Sequence, residues 1–125
     1  MRSLVRKASY GSVTTFWLDR DEALRRLRQA AERLIAARSD VEAVYLFGSL
    51  AEGRAVPGSD ADVLVVLRQS EVRWLDRPLA FAPCFSDCGL GVELFCYTLD
   101  EVERIPLARH ARARGRLLAA SQTRT

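Results

Sequence analysis

The feature that most constrains this chain is a glycine turn followed, after a short loop, by two carboxylates at the head of an apolar strand. Gly48-Ser49 ends the apolar run 41–47, and Asp60-Ala61-Asp62 leads into the run 63–67. An unbroken run of valine and leucine is typical of a strand covered on both faces. Residues two apart in a strand share a face, so the spacing predicts that both carboxylates point the same way.

These residue types suit a site for phosphate and metal. Two carboxylates on one face repel each other unless a cation lies between them, and Mg²⁺ (or Mn²⁺) prefers such oxygen ligands. Gly48 lets the backbone approach a phosphate without a Cβ in the way, and Ser49 offers a hydroxyl and an N–H. Ser59, next to Asp60, is a third candidate for contact with a nucleotide.

Glu93 is the candidate third carboxylate. It lies between Val92 and Leu94 in the predicted strand 92–97, and an acid in an apolar strand is costly unless it faces water or a cation. Beside the two aspartates it would ligate metal and take a proton from an attacking hydroxyl. Taken singly, each feature has a simpler interpretation: a turn, a solvated loop edge or an outward-facing strand residue. Their combination in this order favours the site.

The remaining elements follow from capping residues and breakers. Asp19 with Glu22 predicts a capping box that opens a helix ending near 39–40. The other expected elements are an extended segment over 13–18, a short helix over 71–81, a helix after a second capping box at Thr98 and Glu101 that Pro106 interrupts, and an edge strand over 116–119.

Length and composition predict one α/β domain over residues 1–125, with 1–12 and 120–125 as candidate flexible ends. No run approaches the roughly 18 apolar residues of a membrane span. Three cysteines suit reduced thiols and a cytoplasmic location. The net charge of +3 includes an arginine cluster over 109–116, which we interpret as a solvated or partner-facing helix end. We therefore expect neither membrane insertion nor direct nucleic-acid binding.

The pattern Phe47-Gly48-Ser49-x₁₀-Asp60-Ala61-Asp62, followed by Val92-Glu93-Leu94, resembles the signature of the DNA polymerase β-type nucleotidyltransferase superfamily. It is most similar to the small stand-alone minimal nucleotidyltransferases (MNT) of bacteria and archaea. The specific part of the match covers residues 41–97. Two positions depart from many relatives: Glu93 stands where they have aspartate, and Ala51-Glu52-Gly53-Arg54 replaces an Ala-Arg-Gly sequence.

The resemblance implies a nucleotidyltransferase fold, with a small mixed sheet flanked by helices. It also implies Mg²⁺-dependent transfer of a nucleoside monophosphate, AMP from ATP, to a hydroxyl acceptor with release of pyrophosphate. Gly48 and Ser49 would hold the triphosphate, while Asp60, Asp62 and Glu93 would ligate metal. The acceptor implied is a small helical HEPN-type partner protein in a toxin–antitoxin-like pair.

Two alternatives stay open at this point. The chain could be a non-catalytic antitoxin or binding module that retains the fold, or it could modify a small molecule in a pocket built by a homo-oligomer. Phe16, Trp17 and Trp74 are candidate interface anchors, with core packing as the competing interpretation.

Overall fold

The computed structural model describes residues 3–122 and contains a two-stranded and a four-stranded sheet. The strands are β1 (Val5–Tyr10), β2 (Val13–Leu18), β3 (Val41–Phe47), β4 (Ala61–Leu67), β5 (Val92–Thr98) and β6 (Arg116–Ala120). The helices are α1 (Arg20–Ala37), α2 (Pro78–Phe81), α3 (Leu99–Arg104) and α4 (Pro106–Arg114), and a 3₁₀ turn over Ala82–Phe85 follows α2.

The four-stranded sheet is mixed and has the order β5-β4-β3-β6. β3 lies antiparallel to both β4 and β6, whereas β4 and β5 are parallel. A parallel pair needs a crossover connection, which residues 68–91 provide together with α2 and the 3₁₀ turn. The predicted small mixed sheet flanked by helices is confirmed.

Alternate residues of β4 face two separate hydrophobic cores. Val63 and Val65 are buried in the larger core with Leu27 of α1. Leu64 packs in the second core with Val102 of α3 and the neighbouring α4. Both faces of β4 are therefore covered, which explains why its sequence is continuously apolar after Asp62 rather than alternating.

The helix termini match the capping predictions with one difference. Glu101 N donates to Thr98 Oγ1 at 3.2 Å and Thr98 N donates to Glu101 Oε1 at 2.8 Å, which completes the predicted box. At α1, Glu22 N donates to Asp19 Oδ1 at 3.1 Å. The Asp19 N–H donates instead to the Leu4 carbonyl at 2.7 Å, so only half of that box forms.

Three boundaries differ from the predictions. Residues 5–10, within the segment 1–12 expected to be flexible, form β1 because the Gly11-Ser12 turn folds them back onto β2. The helix predicted over 71–81 is confined to Pro78–Phe81, since proline is favoured at a first helical position and the preceding residues form turns. Ala120 still belongs to β6.

The predicted segment 13–18 and edge strand 116–119 are confirmed as β2 and β6. Residues 1–2 and 123–125 of the predicted flexible ends lie outside the described residues. Within the described part of the chain, no helix is both long enough and apolar enough to cross a bilayer.

Candidate active site

The register of β4 against β5 brings two of the predicted carboxylates together. Asp62 is the direct partner of Glu93 in the parallel pairing, and register partners in a sheet present their side chains to the same face. Asp62 also pairs with Phe47 at the end of β3. Leu64, two residues after Asp62, packs toward α3 and α4. The carboxylates of Asp62 and Glu93 therefore lie on the same face of the sheet, outside the area that the second core covers.

Two glycines allow the backbone to approach these carboxylates closely. Gly48 has a φ of +77°, and a Cβ at this position would overlap Asp62 Oδ2 and lie 3.2 Å from Asp62 Cγ. A Cβ on Gly91 would overlap Asp60 Oδ1 and lie 3.1 Å from Asp60 Cγ. Each aspartate thus sits against a backbone that carries no side chain. The glycine turn after β3 and the carboxylate pair therefore form one continuous surface.

The three carboxylates influence one another electrostatically. The pKa of Asp62 is raised above its usual range, first by partial burial and then by the negative charges of Glu93 and Asp60. No arginine or lysine within residues 3–122 forms an ion pair with any of the three. Within residues 3–122, no ion pair therefore offsets the mutual repulsion of these carboxylates.

An uncompensated set of carboxylate oxygens is the donor chemistry that Mg²⁺ and Mn²⁺ select. The described residues hold no group of three or more His, Cys, Asp or Glu side chains already gathered closely enough for a metal. The chemistry of the donors therefore fits a divalent cation, while the arrangement is open rather than a closed cage. Open sites of this kind leave coordination positions for water and substrate phosphates.

The turn after Gly48 is held from outside by α1. Glu52 N donates to the Gly48 carbonyl at 3.1 Å, which closes a single helical turn. Arg20 Nε and Nη2 donate to the carbonyls of Leu50 and Ala51, each at 3.0 Å. These two bonds tie the turn to the start of α1 and fix its position relative to the sheet.

The two candidate serines differ in their surroundings. The Ser49 hydroxyl forms no hydrogen bond within the described part of the chain, so it is available to a ligand. Ser59 Oγ accepts a hydrogen bond from Val56 N at 3.0 Å and so also organises its own loop. Arg54 is paired with Glu52 at 3.0 Å and is exposed, so its charge is not directed at the carboxylates.

Sequence reasoning did not identify Arg20 or Gly91. Arg20 is the first residue of a helix whose arginines mostly face solvent, and nothing local distinguishes it from the others. The position of Gly91 was a weak indication of its role. It lies two residues before Glu93, and a glycine near a strand often marks a place where another group approaches the backbone closely.

The mixed sheet, with the Gly48 turn against Asp62 and Glu93 on the adjacent parallel strand, is the kind of fold that the sequence resemblance implies. The family model for the nucleotidyltransferase domain matches residues 24–116. This chain therefore belongs to the nucleotidyltransferase domain family.

Solved structures agree on the fold. A candidate nucleotidyltransferase from Sulfolobus solfataricus superposes with a TM-score of 0.60 at 22% identity, covering 80% of this chain and 90% of that one. A toxin–antitoxin structure with AMP-PNP superposes with a TM-score of 0.52 at 20% identity, covering 84% of this chain and 76% of that one. No curated protein has a sequence that matches this chain.

Proposed function

We propose that this nucleotidyltransferase moves AMP from ATP to a hydroxyl group on a partner protein, as the antitoxin member of a toxin–antitoxin-like pair. The observation that carries the proposal is the pairing of Asp62 with Glu93 beside the Gly48 turn. That arrangement places the glycine turn directly against Asp62, with Glu93 on the adjacent strand and Asp60 against Gly91.

Each residue has a distinct role in the proposed reaction. Asp60, Asp62 and Glu93 would hold a divalent cation, which would supply positive charge beside the triphosphate. Gly48, Ser49 and Ser59 contact the nucleotide phosphates. The acceptor oxygen forms a bond to the α-phosphorus while the bond to the bridging oxygen breaks, and pyrophosphate leaves. Glu93, the more exposed neighbour of Asp62, accepts the proton of the attacking hydroxyl.

A protein acceptor is supported by the shape of the domain. Asp60 and Glu93 are exposed at one end of the sheet, where a second protein could reach them. The structurally similar toxin–antitoxin was solved with AMP-PNP. A small helical HEPN-type toxin is accordingly the partner we propose, in a cytoplasmic setting suited to the free thiols of the described cysteines.

The test is label transfer from α-labelled ATP with Mg²⁺ in lysate of the native host. Wild-type protein is compared with Asp62→Asn, which keeps the size of the side chain and removes its charge. Asp87→Asn is the matched control, because Asp87 is exposed and pairs only loosely with Arg33 at 3.5 Å. A labelled protein band with wild type and Asp87→Asn, but not with Asp62→Asn, is the expected result.

Two other outcomes would contradict the proposal. Label on a small molecule alone would favour a small-molecule nucleotidyltransferase. Absence of label on any species, with folded protein and saturating ATP, would favour a non-catalytic antitoxin that acts by binding.

A further inference from the structure

Arg20 lies outside the part of the chain that the family model matches, yet it is bonded directly to the Gly48 turn (residues 48–54). It is the first residue of α1, and the family match begins at residue 24. Its guanidinium donates to the carbonyls of Leu50 and Ala51, as described above. Arg20 forms no ion pair with an acid among residues 3–122. A positive charge without a carboxylate partner therefore lies against the turn.

The backbone of the Gly48 turn has its acceptors occupied and several of its donors free. All four carbonyls from residue 48 to residue 51 accept a hydrogen bond. Backbone N–H groups farther along the turn donate to the first two carbonyls, and Arg20 donates to the other two. Three N–H groups in the same stretch have no acceptor within the described residues, and they belong to Ser49, Leu50 and Ala51. Successive free N–H groups in a turn are the donors that bind an anion.

The two bonds from Arg20 also act on the donors of the turn. A peptide unit that accepts a hydrogen bond at its oxygen is polarised and donates more strongly through its N–H. The Leu50 carbonyl shares a peptide unit with the Ala51 N–H, which is one of the free donors. The Ala51 carbonyl shares a peptide unit with the Glu52 N–H, which closes the turn on the Gly48 carbonyl at 3.1 Å. Arg20 therefore favours the closed turn and strengthens a free donor within it.

Arg20 is held in place at both of its ends. Its main chain follows the N-cap Asp19, whose side chain accepts a hydrogen bond from Glu22 N at 3.1 Å. Its head group reaches Leu50, which is fully buried in the larger core. A guanidinium is a planar fork with fixed donor directions, whereas a lysine ammonium is a single point of charge. Two bonds from one fork therefore fix the orientation of the turn as well as its position.

We propose that Arg20 is a positioning residue for the phosphate chain of the nucleotide. It holds the Gly48 turn in the conformation whose N–H groups are free, and its charge favours an anion at that turn. The inference rests on the proposed function for the identity of the ligand as a nucleoside triphosphate. Its test uses binding alone, without nucleotidyl transfer.

Binding of AMP-PNP with Mg²⁺ to the full chain, measured by isothermal titration calorimetry, tests the proposal. Arg20→Ala removes the charge and both bonds, whereas Arg20→Lys keeps the charge and loses the fork. Both variants should bind AMP-PNP more weakly than wild type, and Arg20→Ala should lose about 10-fold to 100-fold, as is typical of groups that orient a binding residue. Arg20→Lys should retain more affinity than Arg20→Ala.

Arg28→Ala is the matched control for the loss of one positive charge from α1. Arg28 is exposed on the same helix and forms no ion pair in the described part of the chain. This variant should bind AMP-PNP with the affinity of wild type.

A second titration separates positioning from a general loss of structure. Binding of Mn²⁺ alone, followed by electron paramagnetic resonance, reports on the carboxylates, and neither bond of Arg20 reaches a carboxylate. Arg20→Ala should therefore bind Mn²⁺ at least as tightly as wild type, whereas a damaged fold would weaken both ligands. Circular dichroism shows that each variant is folded. If Arg20→Ala does not fold, Arg20→Lys, which keeps the aliphatic stem, decides the test.

Three outcomes would overturn the inference while leaving the proposed function intact. The first is an affinity for AMP-PNP in Arg20→Lys equal to that of wild type, because charge alone would then be sufficient. The second is an equal loss of affinity in Arg28→Ala. The third is a loss of Mn²⁺ affinity in Arg20→Ala that matches its loss of AMP-PNP affinity. A wild type that does not bind AMP-PNP at all would overturn the proposed function as well, so the two failures are distinguishable.

Discussion

Substitution of Gly48 by alanine tests the close approach between the glycine turn and the carboxylates. At φ +77° an alanine costs about 1 kcal/mol relative to glycine. The new Cβ would also overlap Asp62 Oδ2, so the Asp62 side chain must rotate out of its rotamer at a cost of about 1 kcal/mol. We expect Gly48→Ala to lower the free energy of unfolding by about 2 kcal/mol.

The same displacement should affect transfer more strongly than stability. A shift of about 1 Å in a group that positions substrate can lower the rate about 100-fold. We therefore expect Gly48→Ala to lose about two orders of magnitude in AMP transfer while remaining folded. Urea unfolding monitored by tryptophan fluorescence gives the first quantity, and label transfer from α-labelled ATP gives the second.

Two further variants separate the backbone effect from the clash. Gly53 has a nearly identical φ of +76°, but a Cβ there meets nothing within 4 Å, so Gly53→Ala should cost only about 1 kcal/mol of stability. In an Asp62→Ala background the overlapping atoms are absent, and Gly48→Ala should cost only the same backbone amount. If Gly48→Ala costs no more stability than Gly53→Ala, or if Asp62→Ala does not remove the additional cost, the Cβ does not clash with Asp62 as described.

Four other predictions concern charge and burial. Folding raises the pKa of Asp62, so the charged carboxylate destabilises the folded state as pH rises through that pKa. Asp62→Asn should therefore be more stable than wild type at pH 7, and the difference in stability should vanish in acid. Urea titrations at several pH values would measure this difference. Arg77 is buried and forms an ion pair with Glu101 at 2.5 Å. Arg77→Ala should therefore lower the free energy of unfolding, measured in urea, by about 3 kcal/mol. A loss below about 1 kcal/mol would contradict this prediction. The same arginine lowers the pKa of Glu101, whose contribution to stability should be present above its unfolded pKa and lost as pH falls through the folded value. Burial raises the pKa of the Cys88 thiol to about 11. A thiol reagent at pH 8 should therefore label the half-buried Cys84 first and should label Cys88 only after unfolding. Peptide mass mapping would identify the labelled cysteines.

Local patterns predicted the elements that depend on neighbouring residues. The box at Thr98 and Glu101, the break at Pro106 and the strand β4 all follow from groups within four residues of one another. The helix predicted over 71–81 was wrong, and β1 was not predicted, because neither stretch has a periodic apolar pattern. There the turn at Gly11-Ser12 and the packing of Phe81 into the core decide the structure.

The spacing of residues 60 and 62 predicted two carboxylates on one face, and Gly48 predicted a turn before them, because strand periodicity and backbone freedom are local properties. The φ of +77° at Gly48 confirms the turn, whereas Asp60 lies just before β4 begins at Ala61. Only the tertiary structure decided that Glu93 lies beside Asp62, since that contact depends on a parallel pairing across a crossover of more than twenty residues. It also decided that Arg20 secures the Gly48 turn and that Gly91 receives Asp60. Contacts between distant segments depend on how the whole chain packs, and no spacing within one segment encodes them.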